Sequence, residues 1–333
     1  MTVTNHIDGA MMSRKFRVAI ILINFNSSSH TIHCVESINK LTSNEIRYQI
    51  VVVDNNSAPT DFKNLDLIRN TKNLKIIRSR INTGFSTGCM IGVQNSDADY
   101  YFFLNNDCIL LNDCVSILTK FMDENQQASI CSPQLFSQNG TAITSFNYRP
   151  DFLSKLLGNY IFKITRKSSY FSRKTVPQVP IRVEVLSGAQ LFARATDFEE
   201  LGGFDTTLFL YCEEEDLAIR AYKNGKQLWL VPDAHNSHIG GASTKPSIEI
   251  THEFLISFFY IYEKHYGKTK TILLRFIYIL RYLRKSFKDP KKFGLAWSIL
   301  KGCHMKHSLR HRQKISYTHF DAESCKSIFD NLS

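Results

Sequence analysis

The chain has 333 residues, 43% of them apolar and 21% charged, which excludes a disordered chain or a polytopic membrane protein and leaves one large domain or two smaller ones. Its 41 Lys and Arg against 30 Asp and Glu give a formal charge of +11, which calls for an anionic partner: nucleic acid, nucleotide phosphates or an acidic membrane surface. Eight cysteines (34, 89, 108, 114, 131, 212, 303 and 325) form no CxxC pair and no zinc-site spacing, and they read as reduced residues of a cytosolic protein.

Residues 1–16 carry no periodic pattern and read as a flexible leader. The apolar run from Val18 to Asn24 is too short for an export signal and reads as a strand. VAIILINFN ends in Asn24 and Asn26, and Ile32, Val35, Ile38 and Leu41 then recur at helical spacing. A second strand, Ile50 to Val53, stops at Asp54, Asn55, Asn56 and Ser57 before a short helix. LKIIRSR is a third strand, and INTGFSTGCMIGVQNS a glycine-bearing turn entering a helix. YYFFLNND is a fourth, closed by Asn105, Asn106 and Asp107 and followed by the helix LNDCVSILTKFMDENQQ.

Strands alternating with helices predict a mostly parallel sheet flanked by helices, an α/β fold with polar groups collected along one sheet edge. The run QLFSQNGTAITSF reads as a hairpin around Asn139-Gly140, and KITRKSSYFSRKT as a basic loop. The sheet resumes with IRVEVLSGAQLFARA; an acidic cluster, Glu213 to Asp216, then opens a helix, and QLWLV is a strand running into a histidine-glycine loop. Beyond Pro246 the chain is helical, aromatic and basic. Ile272, Leu273, Phe276, Ile279, Leu280, Leu283 and Phe287 form an apolar stripe among seven Lys and Arg, which interrupt it too often for a spanning helix. The stripe fits a helix lying in a membrane interface or one packed on the catalytic domain.

VAIILINFN, VVVDNNS, NTGFSTG, FLNND, LSGAQLFAR, GGFDTTLFLYCEEEDLAIR and HNSHIGGAS, in this order, resemble the family 2 glycosyltransferases of GT-A fold, most closely the rhamnosyltransferase-type members that build bacterial surface polysaccharides. The resemblance covers about residues 17–245, the expected catalytic domain, with 246–333 a basic amphipathic helical region. It implies that Asp54 contacts the nucleoside, with Asn24, Asn26, Asn56, Asn82 and Gly84 lining the same pocket. It also implies that Asn105 and Asp107 occupy the outer positions of a DxD-type motif, Asn standing where the first acid is usual, with Asn106 between them and His238 completing a Mg²⁺ or Mn²⁺ site. Both ions prefer oxygen ligands, which makes Asp107 the anchor. An acceptor hydroxyl needs a base behind it, and Glu214 falls at the family's base position, with Glu213 as the alternative and Asp216 beside them. Cys89 and Met90 replace a common Asn-Asn pair, and Gly188 and Ala189 leave room beside a donor sugar.

The expected partners are therefore a nucleoside-diphosphate sugar (dTDP-rhamnose or a UDP-hexose), a saccharide acceptor on a lipid carrier, and the inner face of a bacterial cell membrane, with a homodimer left open. A nucleotidyltransferase would need a glycine-rich, basic phosphate loop after the first strand, and NFNSSSHT has no Gly, Lys or Arg. A nucleic-acid-binding protein is disfavoured because the basic residues gather in the tail and one loop without a recognition motif.

Overall fold

The computed structural model describes residues 14–149, 172, 173, 175–240 and 247–316. Most of the expected leader, most of the basic 163–174 loop, the end of the histidine-glycine loop and the last residues of the tail lie outside these. Strands β1 (Phe16–Asn24), β2 (Tyr48–Asp54), β3 (Leu74–Arg78) and β4 (Ala98–Leu104) run parallel in the order β3-β2-β1-β4. Helices α1 (Ser28–Leu41), α2 (Pro59–Asn64), α3 (Gly84–Gln94) and α4 (Cys114–Glu124) follow strands as expected.

Val18 to Leu22 and Ile50 to Val53 are fully buried because both sheet faces are covered. Alternate side chains point to opposite faces. Ile20, Leu22 and Val52 pack with Val35 and Ile38 of α1 and Leu118 of α4, while Ile21 and Val53 join a second core with Cys89 of α3.

Beyond β4 the sheet departs from the sequence reading. It continues through β10 (Gln190–Arg194), β6 (Ala128–Phe136), β11 (Gln227–His238) and β5 (Cys108–Leu110), with β8 (Ile181–Val183) paired to β11. β10 is antiparallel to both neighbours. The expected hairpin is one turn and a single bridge, Phe136 to Ala142, because β6 is committed to the main sheet. β7 (Phe146–Asn147) and β9 (Val185–Leu186) form a separate small pair. The expected histidine-glycine loop is strand as far as His238, since β11 passes a register shift between Val231 and His235 and then pairs with β5.

Helices α5 (Ala195–Glu200) and α6 (Glu213–Lys223) follow β10. The tail forms α7 (Ile248–Tyr266), α8 (Lys268–Ser286) and α9 (Phe293–Leu300). Their core includes Leu208 and Cys212 from the loop before α6, so part of the expected apolar stripe is packing surface.

Candidate active site

A cavity of about 590 Å³ opens at the C-terminal ends of β1, β2 and β4, where open α/β sheets place ligands. Asn105, Asn106, Asp107 and His238 line it. The turn after β4 is fixed by the Asn105 amide on the Ala189 carbonyl (2.8 Å) and the Cys108 amide on the Asn105 carbonyl (3.0 Å). Cys108 pairs with His238 across the antiparallel β5 and β11, and this pairing brings His238 Nε2 to 3.2 Å from Asp107 Oδ1. Asn106 spends its amide on Ser27 Oγ (2.7 Å) and Thr31 Oγ1 (2.8 Å), tying the turn to α1.

A second carboxylate group faces the same cavity from the start of α6. Tyr211 (φ 72°) and Cys212 (φ 68°) are consecutive non-glycine residues in the left-handed region, a strained kink of the kind that clusters at functional sites. The kink is held by Ser257 of α7, whose hydroxyl donates to the Leu210 carbonyl (2.8 Å), and by edge-on contact of Tyr211 with Phe254. It turns Glu213 and Glu214 toward the cavity. Burial pushes the Glu213 carboxyl up to about 7, with the Glu215 charge adding, and its Oε2 has no hydrogen-bond partner among the described residues. Glu214 packs over Gly188, where an added Cβ would lie 3.1 Å from its carboxyl carbon.

Asp216 is not part of this pair. It does not line the cavity and is fully buried, accepting from Arg220 (2.8 Å), Lys264 (2.7 Å) and His265 (2.7 Å). Burial raises its pKa, but the His265 and Lys264 hydrogen bonds and the Arg220 charge outweigh this and hold the carboxyl well below the usual range. The expected catalytic role is therefore corrected to an anchoring one.

The residues expected to hold the nucleoside show a similar correction. Asp54 is fully buried and accepts from Asn24 Nδ2 (2.8 Å) and the Ser57 amide (3.2 Å), with Arg78 Nε at 3.5 Å. Asn26 Oδ1 accepts from the Ala58 amide (2.8 Å), and Asn56 Nδ2 donates to the Lys314 carbonyl (3.3 Å). None of Asp54, Asn24, Asn26 and Asn56 lines the cavity; they build the turn beneath it. The wall residue is Asn55, whose amide donates to the Gly84 carbonyl (2.9 Å) and accepts from Thr83. Asn82 and Gly84 line the cavity as expected, and Gly84 must be glycine: φ is +81° and a Cβ would meet the Phe209 carbonyl oxygen at 2.2 Å. Leu309 and Gln313 from the far end of the chain complete this wall, with no local sequence signal to mark them.

The profile described as Glycosyl transferase family 2 matches residues 19–189, just over half of the 333 residues. The chain belongs to this family. It is similar to the rhamnosyltransferase WbbL of Escherichia coli (strain K12), 31% identical over 151 residues, or 43% of this chain and 53% of the relative. The match thus spans about half of that relative's length. A second relative is the N-acetylglucosaminyl-diphospho-decaprenol L-rhamnosyltransferase of Mycobacterium tuberculosis (strain ATCC 25618 / H37Rv), 21% identical over 74% of this chain and 85% of its own length. Among solved structures, GalNAc-T7 with UDP, GalNAc and Mn²⁺ is similar at TM-score 0.54 and 16% identity, over 73% of this chain and 47% of that one. S. aureus TarS 1-349 in complex with UDP-GlcNAc follows at 0.51 and 15%, over 82% and 73%. Likeness at these identities carries the fold, which is GT-A.

Within this family 2 framework the donors suit a hard divalent cation. Asp107 and His238 offer an oxygen and an imidazole nitrogen, and Asn105 lines the cavity beside them. Cys108 lies within reach of both, but burial pushes its thiol well up and the sulfur is turned to the Ala189 carbonyl at 3.8 Å, which removes it as a ligand for such an ion. Cys89 sits in the core, and Met90 packs where a Cβ on Gly203 would be, so the departures from the usual Asn-Asn pair repack α3 and do not line the cavity.

Asp216→Asn leaves Arg220 and Lys264 without their shared counter-charge and is expected to lower unfolding stability by about 3–5 kcal/mol, measured by urea denaturation at pH 7. Because the folded pKa is depressed, the contribution is complete at neutral pH and fades as pH falls below about 4. A loss that persists undiminished at pH 3 would refute the assignment.

Proposed function

We propose that this chain is an inverting, metal-dependent glycosyltransferase that moves rhamnose or a hexose from a nucleoside-diphosphate sugar to a saccharide hydroxyl. One observation carries the reading: a single cavity is lined by the Asp107–His238 pair and by Glu213 and Glu214. An in-line displacement needs both a leaving-group site and a base within one cavity, the two acting from opposite sides of the anomeric carbon.

Glu214, lying over Gly188, takes the proton of the acceptor hydroxyl. The hydroxyl oxygen forms the new bond to the anomeric carbon as the bond to the diphosphate oxygen breaks, and the configuration inverts. A Mg²⁺ or Mn²⁺ ion held by Asp107, His238 and Asn105 would neutralise charge on the departing diphosphate. Glu213 is the second candidate base, since its buried, unpartnered oxygen and raised pKa suit a proton acceptor near neutral pH.

The donor in this reading is dTDP-rhamnose or a UDP-hexose, in line with the rhamnosyltransferases among the relatives. The acceptor is a growing O-antigen or capsule saccharide on a lipid carrier, met at the inner face of the bacterial cell membrane. No helix among the described residues is long and apolar enough to cross a membrane. The tail instead shows an outward apolar surface. α8 buries Leu274, Tyr278 and Tyr282 on one side and exposes Ile272, Phe276 and Leu280 on the other, and α9 exposes Phe293, Trp297 and Leu300. Ten Lys and Arg stand against one acid, Asp289, between Lys268 and Lys301. An apolar face rimmed by cations fits an anionic bilayer surface.

Offered a panel of nucleotide sugars, the purified protein is expected to bind a dTDP- or UDP-sugar with Mn²⁺ present and to lose the metal-dependent part of that binding in Asp107→Ala. Calorimetry that detects no nucleotide sugar at all would sink the proposal. Glu214→Gln should lower kcat by about 10²- to 10⁴-fold with donor affinity retained. Glu213→Gln should keep most of the turnover. Because the native state favours protonated Glu213, ionising it costs stability as pH rises from about 4.5 to about 7, so this variant should melt higher than the parent above pH 7 and alike near pH 4. Loss of turnover in Glu213→Gln alone would transfer the base to Glu213. In sedimentation with vesicles, the protein should pellet with anionic lipid and not with neutral lipid, and Phe276→Glu with Trp297→Glu should abolish this; pelleting unaffected by the double change rejects the membrane face.

A further inference from the structure

Asp54, the residue expected to read the nucleoside, is buried in a turn and cannot reach into the cavity. The structure brings another candidate from the opposite end of the chain. Residues 308–316 leave the tail helices and return to the strand ends, and their path is fixed at both limits. Glu253 of α7, buried to 1% exposure, accepts from Ser308 Oγ (2.7 Å) and the Leu309 amide (2.8 Å). Arg310 donates to the carbonyls of Thr206 and Leu208, in the loop that leads to the strained kink before α6. At the far limit, the Lys314 carbonyl accepts from Asn56 in the turn after β2, and the Ser316 amide donates to the Arg80 carbonyl after β3 (2.8 Å). A buried carboxylate committed to holding one short segment is costly unless its charge is satisfied, and here two donors satisfy it.

Suspended between these ties, Leu309 and Gln313 enter the wall of the cavity that Asn55 and Asn82 also line. The amide nitrogen of Gln313 donates one of its two N–H groups to the Leu309 carbonyl at 2.9 Å, which fixes the side chain and leaves Oε1 as an acceptor for a ligand. An acceptor next to an apolar side chain, on a segment tied to the turns after β2 and β3, suits the edge of a flat base that presents an N–H donor.

We propose that residues 308–316 form the nucleobase wall of the donor site, and that Gln313 Oε1 accepts the ring N3–H of a uracil or thymine base while Leu309 packs against its face. The inference rests on the donor reading above and adds to it the residue that selects the base. Uracil and thymine carry that N–H; cytosine carries a bare acceptor nitrogen in its place and is rejected, because two acceptors would then face each other.

The test measures binding of UDP, dTDP and CDP, each with Mn²⁺, by calorimetry on the full chain. The parent protein should favour UDP and dTDP over CDP by about tenfold or more. Gln313→Ala should reduce that preference to near unity by weakening UDP and dTDP while keeping the Mn²⁺ dependence and the melting temperature of the free protein. Asn56→Ala, which removes the Lys314 tie, should act in the same direction and less. In the unaltered protein, UDP should slow amide exchange across residues 309–316. A UDP-to-CDP preference unchanged in Gln313→Ala, or no slowing of exchange in this segment, overturns the inference. If no nucleotide binds the parent protein, the donor reading itself fails, whereas Mn²⁺-dependent binding of all three nucleotides with equal affinity leaves that reading standing and rejects the role of Gln313.

Discussion

The buried carboxylate of Asp216 is the interaction on which the cavity depends. It lies in the first turn of α6 and is bonded to Arg220 of the same helix and to Lys264 and His265 of α7. Lys264 also reaches Asp205 at 2.7 Å, so one cluster fastens the helix start, the loop that precedes it and the tail. Charges taken out of water hold only when every one is answered, and such a cluster resists partial rearrangement. That rigidity is what lets Tyr211 and Cys212 stay in a left-handed conformation and hold Glu213 and Glu214 against the cavity, against the cost of burying Glu213.

The same arrangement changes the standing of the tail. A helical region with a basic, apolar character could be an independent appendage, yet α7 supplies Ser257, Lys264 and His265 to the framework of the site and Glu253 to the returning segment. α8 and α9 complete a core around Phe258, Phe259 and Tyr262 and still carry apolar side chains outward. The two readings that the stripe left open are therefore compatible, because α8 has two apolar faces and a single count of apolar positions cannot separate them.

β1, β2 and β4 were legible because burial on both faces demands continuous apolar runs, and few other patterns produce them. β6 was legible only at its end, because polar residues interrupt it: Ser132 donates to the Gln190 carbonyl (3.0 Å), and Gln190, at the start of β10, donates to the Pro133 carbonyl (2.7 Å) and accepts from Asn236 (2.7 Å). Paired within the sheet, these groups cost little, but read singly they resemble loop residues. The cavity lining was legible where a motif ends a strand at the cavity, as with Asn105, Asp107 and His238. It was misread where the same residue types serve a turn, since nothing local distinguishes Asp54, answered by Asn24 and Arg78, from a carboxylate waiting for a ligand. Gln313 left no trace at all, because what places it is the path of residues between Glu253 and Arg80.

Asp107 and His238 face each other across a sheet ladder, and their spacing is set by the register of β5 against β11. Asn55, Asn82, Leu309 and Gln313 come from separate pieces of chain, one of them a returning segment held by a handful of bonds. Mutation can therefore alter the second set without disturbing the first. In this plan the Asp107–His238 geometry is fixed by the architecture, and the wall that includes Leu309 and Gln313 is free to diversify.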